Sequence, residues 1–432
     1  MPQRSRRWLG RWTAPSAQAR SRRPWRRDAM ASESRLPVTA LLGANMFFSG
    51  VSYAATIPYA SLVGVDTLGM SPGFFATVMS AGAIFGTFVS LGLGYLSDKL
   101  PDRRLLVLLT ALTGILAHGM IYLWPTQASF TIAMALIMPF SGAAYGQSFG
   151  YVRVYYLKHR PERADFMVQA LRTVFTLAWI VVPPLAGWVA AEFSIFDVFL
   201  ASAIAYAGIA AVFALLMADP KAAVQMPAPV RVKGASLLSA FELRPGTLAG
   251  ITGLIVMTGA MRLMTLTMAL FIVSDLGGTV TDVGLYAGIT AATEAPLMLL
   301  LAWLTTRVTK ETLLAGAGLV MAVFIGLTSQ LESVPALFWL LALNGLGTAA
   351  LMSVNISYVQ DAIKGRVGLS TSLMDVVAIA ANLLGAGAFG VLASGGDYRF
   401  ALIVAAAVSV LGAAIMAAGN LGRLGGLKPA QA

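Results

Sequence analysis

Of 432 residues, 58% are hydrophobic and 11% are charged, against about a quarter charged in a soluble globular chain, so a soluble domain is excluded and a membrane-embedded one is expected. Cysteine is absent and there are two histidines, His118 and His159; this rules out disulfides and thiolate chemistry, and a metal centre or other resident cofactor is not expected. The formal charge of +11 would suit a nucleic-acid partner, but it is not spread over a surface: nine arginines and one acid put +8 of it in residues 1–29.

That first segment carries Arg4, Arg6, Arg7, Arg11, Arg20, Arg22, Arg23, Arg26, Arg27 and Asp28, and it is too polar to bury a core of its own. It has no apolar run of ~7–15 residues before Met30, so it is not a secretory signal. Residues 1–36 are expected to form a basic, disordered cytoplasmic tail, with Met30 as a candidate start. The functional alternative is a basic arm on anionic headgroups, at about 1 kcal/mol per Arg.

From Pro37 onward, apolar stretches of the ~20 residues that cross a bilayer recur between short polar breaks. They fall at 38–63, 72–96, 104–124, 128–152, 166–190, 196–217, 247–273, 282–304, 312–330, 335–358, 369–393 and 399–421. The one long break holds Pro220, Lys221, Pro227, Pro229, Arg231, Lys233 and Arg244. It divides the chain into a six-helix bundle at 37–217, a cytoplasmic linker at 218–246, a second bundle at 247–421 and a cytoplasmic tail at 422–432. Twelve transmembrane helices in an all-α fold are therefore expected.

Loop charges alternate. One set of loops carries Lys99, Arg103, Arg104, Lys158, Arg160, Arg163, Arg307, Lys310, Lys364, Arg366, Arg423 and Lys428. The other carries Asp66, Glu192, Asp197, Asp275, Asp282, Glu332 and Asp397, with Arg399 as its basic exception. By the positive-inside rule the first set is cytoplasmic, which puts both termini inside a bacterial cytoplasmic membrane and makes the number of spans even.

The break after the second span reads Gly94, Tyr95, Leu96, Ser97, Asp98, Lys99, Leu100, Pro101, Asp102, Arg103 and Arg104. An acid two residues after a leucine and a basic cluster beyond it resemble the loop signature of the major facilitator superfamily. Pro101 and Asp102, in place of the general Gly-Arg, are similar to the sugar efflux transporter family within it. Three further stretches resemble that family: Leu177, Ala178 and Trp179 followed by Pro183 and Pro184, with Arg172 upstream; Glu294, Ala295 and Pro296; and Gln360 with Asp361 followed by Gly365 and Arg366. The resemblance implies two six-helix bundles working by alternating access, and export of small saccharides in exchange for protons.

Physically, Asp98, Asp102, Arg103 and Arg104 sit at a helix junction, where a carboxylate can cap a neighbouring helix or pair with Arg366. They form a candidate latch, the alternative being solvated topology charges. Within the spans lie Arg172, Arg262, Glu294 and Asp375. A charge at mid-membrane costs about 2.5–3.5 kcal/mol on insertion scales, so each should face a cavity or a partner. Glu294, beside Pro296, is the candidate proton-coupling or sugar-binding acid; an ion pair with Arg262 or Arg172 is the structural alternative. Asn45, Gln147 and Asn344, with Tyr53 and Tyr59, offer the amides and aromatic faces that sugar recognition uses. His118 and Asn382 are further polar residues in spans, and each such group is more often an interhelical hydrogen bond. No nucleophile–base set supports an enzyme. The other transport reading is an exporter of drugs or amphipathic metabolites, with a lining rich in Met and Phe. The expected partners are a small saccharide, protons and the lipid bilayer, and the expected state is a monomer.

Overall fold

The computed structural model describes residues 37–100, 102–224, 245–362 and 367–425. The tail at 1–36, most of the 218–246 linker, the last residues of the carboxy-terminal tail and Arg366 lie outside these. Among the described residues, twelve helices are long and apolar enough to span a bilayer: α1 (Val38–Tyr59), α2 (Pro72–Ser97), α3 (Arg104–Leu123), α4 (Gln127–His159), α5 (Pro161–Glu192), α6 (Asp197–Ala218), α7 (Pro245–Asp275), α8 (Val280–Leu304), α9 (Lys310–Thr328), α10 (Val334–Ala362), α11 (Leu373–Gly395) and α12 (Tyr398–Asn420). Beyond the expected stretches, α4, α5 and α10 run several residues further at the end bearing the basic loops, while α1 ends four residues earlier and α11 begins four later. Backbone hydrogen bonds close a helix whatever its side chains, so a helix continues past the hydrocarbon core that sets the apolar stretch.

The packing repeats with a six-helix period. In the amino-terminal half α1 packs on α5 and α6, α3 on α4 and α6, and α2 on α4; in the other half α7 packs on α11 and α12, α9 on α10 and α12, and α8 on α10. Between the halves, α5 meets α8 and α2 meets α11. Those two contacts also exchange under the same six-helix shift, as a pseudo-twofold axis between the halves requires.

The repeat is written in the sequence after α1 and α7, a signal missed in the span reading. Val65, Leu68 and Gly69 recur as Val273, Leu276 and Gly277, with an acid between them in each half, Asp66 and Asp275. Each helix leaves through a π turn, Leu62–Thr67 and Phe271–Asp275. Each turn is followed by a left-handed glycine, Gly69 at φ 67° and Gly277 at φ 64°, a conformation that only glycine adopts cheaply. Two residues on, Ser71 and Thr279 accept the backbone N–H of Phe74 and Asp282 and so start α2 and α8.

The halves close on one another at the end carrying these two loops. Across the seam Thr281 Oγ1 donates to the Gly187 carbonyl at 3.3 Å and the rings of Phe75 and Phe389 pack edge-on at 5.8 Å, while within the amino-terminal half Tyr59 Oη donates to the Pro183 carbonyl at 2.6 Å. Gly284 and Gly390 let the backbones approach. A Cβ on Gly284 would lie 2.3 Å from the Pro183 oxygen, and one on Gly390 would lie 2.8 Å from Ala76 Cβ. One apolar core runs across both halves here, while the opposite end of the amino-terminal half has a separate core around Leu42, Tyr151 and Phe213. Arg399, the basic exception among the acidic loops, donates to the Ser329 carbonyl at the end of α9, where a helix C-terminus favours a cation.

At the end carrying α1's start and α12's finish, the polar contacts described stay within a half. Arg104 donates to the Leu216 and Asp219 carbonyls, Tyr151 Oη to the Ala222 carbonyl at 2.8 Å, and Lys310 Nζ to Asp361 at 2.7 Å. Among the described residues, the halves are closed at the acidic-loop end and parted at the basic-loop end.

Candidate functional site

Between the halves lies a cavity of about 340 Å³. Its amino-terminal wall includes Tyr53, Tyr206 and His118. Tyr53 Oη donates to the Gly142 carbonyl at 2.9 Å, tying α1 to α4. Tyr206 lines the cavity together with Ser52, Tyr53 and Ser141. His118 Nδ1 donates to the Gly114 carbonyl at 2.9 Å, so its Nε2 is left as an acceptor, and its ring lies 5.2 Å from that of Tyr206. Gly114 is required there, because a Cβ would lie 2.4 Å from the Tyr206 ring.

The carboxy-terminal wall contributes Arg262, Thr265 and Asn382. The close crossing of α7 and α11, where a Cβ on Gly385 would lie 2.5 Å from Arg262 Cβ, brings Arg262 and Asn382 together. Thr265 Oγ1 donates to the Met261 carbonyl at 2.8 Å. No described residue forms an ion pair with Arg262. Met79, Met134 and Met138 make much of the remaining surface.

The four intramembrane charges fall into two tiers. Arg262 lies 13 residues before Asp275 and Glu294 14 residues after Val280; at 1.5 Å per residue both are about 20 Å from the closed end. Asn382, 13 residues before Gly395, shares that depth. Asp375 and Arg172 each lie 20 residues from the closed ends of their helices, Gly395 and Glu192, so about 30 Å away, toward the open mouth. Both are exposed. Asp375 continues the α11 stripe of Asn382 and Ala386, being seven and eleven residues from them, two and three helical turns. Arg172 shares the α5 face of Pro183, eleven residues on, which is turned to the other half. Near it, Tyr145 packs 4.5 Å from Phe175 and 4.7 Å from Phe149.

Glu294 is half-buried and points away from lipid. On α8 the exposed stripe runs through Leu299 and Trp303, and Glu294 lies on the opposite face with the buried Val283 and Leu301. It is not in the cavity lining, and no ion pair joins it to Arg262 or Arg172. The ion-pair alternative is thus not realised in this conformation.

The amides divide. Asn344 is 1% exposed; its Nδ2 donates to Tyr286 Oη at 3.1 Å and Thr290 Oγ1 at 3.0 Å, and its Oδ1 accepts from Thr348, so it ties α10 to α8. Asn45 is fully buried in α1 with neither amide atom hydrogen-bonded, and Gln147 Oε1 is likewise unpaired; neither lines the cavity. Asn382 does, although it had ranked as one polar residue among several. Its spacing from Asp375 along α11 was the available signal.

Of the latch residues, Arg366 and the Asp98 side chain lie outside the described residues. Asp102 accepts from Arg104 at 2.7 Å, and Arg104, 5% exposed, reaches past it to the end of α6. Partial burial pushes the Asp102 carboxyl up, but the hydrogen bonds and charge of Arg104 outweigh it and hold it below the usual carboxylate range. Arg103 lies over Gly150 of α4.

Two six-helix halves about a pseudo-twofold axis, sealed at one end over a mostly apolar cavity that carries one cation, have the architecture of a polytopic membrane transporter. The sequence profile of the Major Facilitator Superfamily matches residues 8–183 and 248–423. The chain belongs to that superfamily. Among curated relatives, sugar efflux transporter C of Escherichia coli K12 is 29% identical over 333 residues, 76% of this chain and 82% of that protein. Sugar efflux transporter A of Dickeya chrysanthemi is 27% identical over 374 residues, 85% and 92%. Among solved structures, the nucleoside transporter NupG is 14% identical with a TM-score of 0.68, over 89% of this chain and 99% of that one. A bacterial homologue of the human lysosomal transporter Spinster is 13% identical with a TM-score of 0.70, over 91% and 98%. At these identities the two structures speak to the fold alone.

Proposed function

We propose that the chain exports saccharides, or related small polar solutes, across a bacterial cytoplasmic membrane by proton antiport. The observation that carries this reading is the likeness, at 27–29% identity over three quarters or more of the chain, to proteins named sugar efflux transporters. A cavity with a cation, an amide and tyrosines is consistent with it. The basic loops at the parted end make that end cytoplasmic, with both termini inside, so the conformation described is open to the cytoplasm and ready to take up an export substrate. The units are a bundle at 37–217, a linker at 218–246 and a bundle at 247–421, acting as a monomer.

Glu294 is the coupling acid in this reading. It faces inward, has no counter-ion in this conformation, and lies at the depth of Arg262 and Asn382. Asp98, Asp102, Arg103, Arg104 and Arg366 latch the cytoplasmic end when it closes. A second reading, export of amphipathic solutes, draws support from the three methionines in the lining. Counterflow in proteoliposomes with a panel of sugars and amphipathic drugs, with and without a pH gradient, separates the two. Sugar exchange accelerated by an opposing proton gradient is expected. Drug exchange without sugar exchange refutes the saccharide reading.

A further inference from the structure

The saccharide reading leaves the chemistry of the sugar open, and the cavity bears on it. The chemical balance of the lining is lopsided. Arg262 enters it as a cation with no ion pair, and no acid is among the lining residues. Tyr53 and Thr265 spend their hydroxyl protons on the Gly142 and Met261 carbonyls and keep oxygen lone pairs that accept. Beside them stand the guanidinium, every N–H of it a donor, the Asn382 amide, and the His118 Nε2 acceptor. The lining carries a positive charge that no lining acid balances.

A neutral sugar brings no charge to set against the unpaired guanidinium of Arg262. A carboxylate only accepts, and it matches the guanidinium fork with two parallel hydrogen bonds. The cavity of about 340 Å³ has room for roughly eleven waters at ~30 Å³ each. That is room enough for one sugar ring bearing a carboxylate. The methionines Met79, Met134 and Met138 supply an adaptable apolar surface for the C–H face of the ring. The acids elsewhere do not compensate. Glu294 is outside the lining, and Asp375, about 10 Å toward the mouth, shares its tier with Arg172.

We infer that the preferred substrate is an acidic monosaccharide, a hexuronate, held through its carboxylate by Arg262 with Asn382 beside it. The inference rests on the saccharide reading and is separable from it. Glucuronate and glucose differ at one carbon, so counterflow of each in proteoliposomes at pH 7, with glucose 6-phosphate as a third solute, isolates the charge. Glucuronate should exchange about tenfold or more faster than glucose at equal low concentration, as a charged hydrogen-bond pair allows. Arg262→Gln should bring that ratio close to one; Arg262→Lys should keep part of it. Stabilisation by glucuronate in a thermal-shift assay should vanish in Arg262→Gln, and the wild-type ratio decides the matter should that variant fail to fold. Glucose exchanging as fast as glucuronate in the wild type, a preference surviving Arg262→Gln, or glucose 6-phosphate outpacing glucuronate overturns the hexuronate assignment alone. Exchange of no sugar at all overturns the saccharide reading as well.

Discussion

Gly284→Ala should tip the transporter away from the conformation described here. The added methyl would sit 2.3 Å from the Pro183 oxygen, 2.5 Å from Tyr59 Oη and 2.9 Å from the Pro183 carbonyl carbon. The tyrosine can swing away, but the carbonyl belongs to a proline pair inside α5 and cannot retreat without moving the helix. Overpacking of this kind costs about 1–3 kcal/mol, and the contact exists only while the halves are closed at this end. Relative to the alternate conformer, the closed population should therefore fall by roughly 5- to 150-fold. The chain has no cysteine, so a cysteine replacing Ala386 in the cavity wall is a unique reporter. An impermeant thiol reagent on the acidic-loop side should label it slowly in the parent and at least several times faster with Gly284→Ala. Adding Tyr59→Phe should relieve only part of the effect, because the carbonyl contact remains. Equal labelling with and without the methyl would refute the assignment of this surface as the closed gate.

Cysteines replacing Asp66, Asp197 and Glu332 should be labelled from outside the cell, and those replacing Lys99, Arg160 and Arg307 should not; labelling of both sets from one side would end the twelve-span topology. Arg104→Gln should lower stability by about 2–3 kcal/mol, the scale of charged hydrogen bonds, read as a drop in melting temperature in detergent. Because the Asp102 pKa is lowered on folding, its pairing is intact above the ordinary value of 3.8 and is lost only as pH falls below that. The Arg104→Gln deficit should accordingly be constant from pH 5 to 8, and a deficit that changed in that interval would contradict the pairing. Glu294→Gln should abolish pH-driven net efflux yet retain sugar counterflow. Wild-type efflux would make Glu294 structural and Asp375 the next candidate, and loss of counterflow too would make it a substrate contact. Deleting residues 1–29 should leave insertion and transport unchanged, as measured by membrane fractionation and counterflow.

The span count and the all-α class were legible in the sequence. Each rests on a local quantity, the length of an apolar stretch or the sign of a loop, that a bilayer reads without reference to the rest of the chain. The superfamily resemblance was legible too, because its motifs are contiguous at helix junctions. The repeat of Leu68–Gly69 in Leu276–Gly277 was present but weak, since what it encodes is a backbone turn that few residues mark.

The site was only partly legible. That four charges lie within spans is a sequence fact, but which of them share a space depends on helix rotation and on which end of the molecule is closed. Arg262 and Asn382 face one cavity because Gly259 and Gly385 let α7 and α11 cross closely. Asn344, of the same residue type, is spent between two helices, and Asn45 is sealed inside a bundle. Glu294 and Arg262 sit at one depth and yet form no ion pair, which charge counting along the chain could not foresee. Hydropathy carries depth along a helix well and its rotation poorly. Lipid and a neighbouring apolar helix look alike to an apolar side chain, so the assignment of faces to lipid, partner or cavity waits for the packing of all twelve helices.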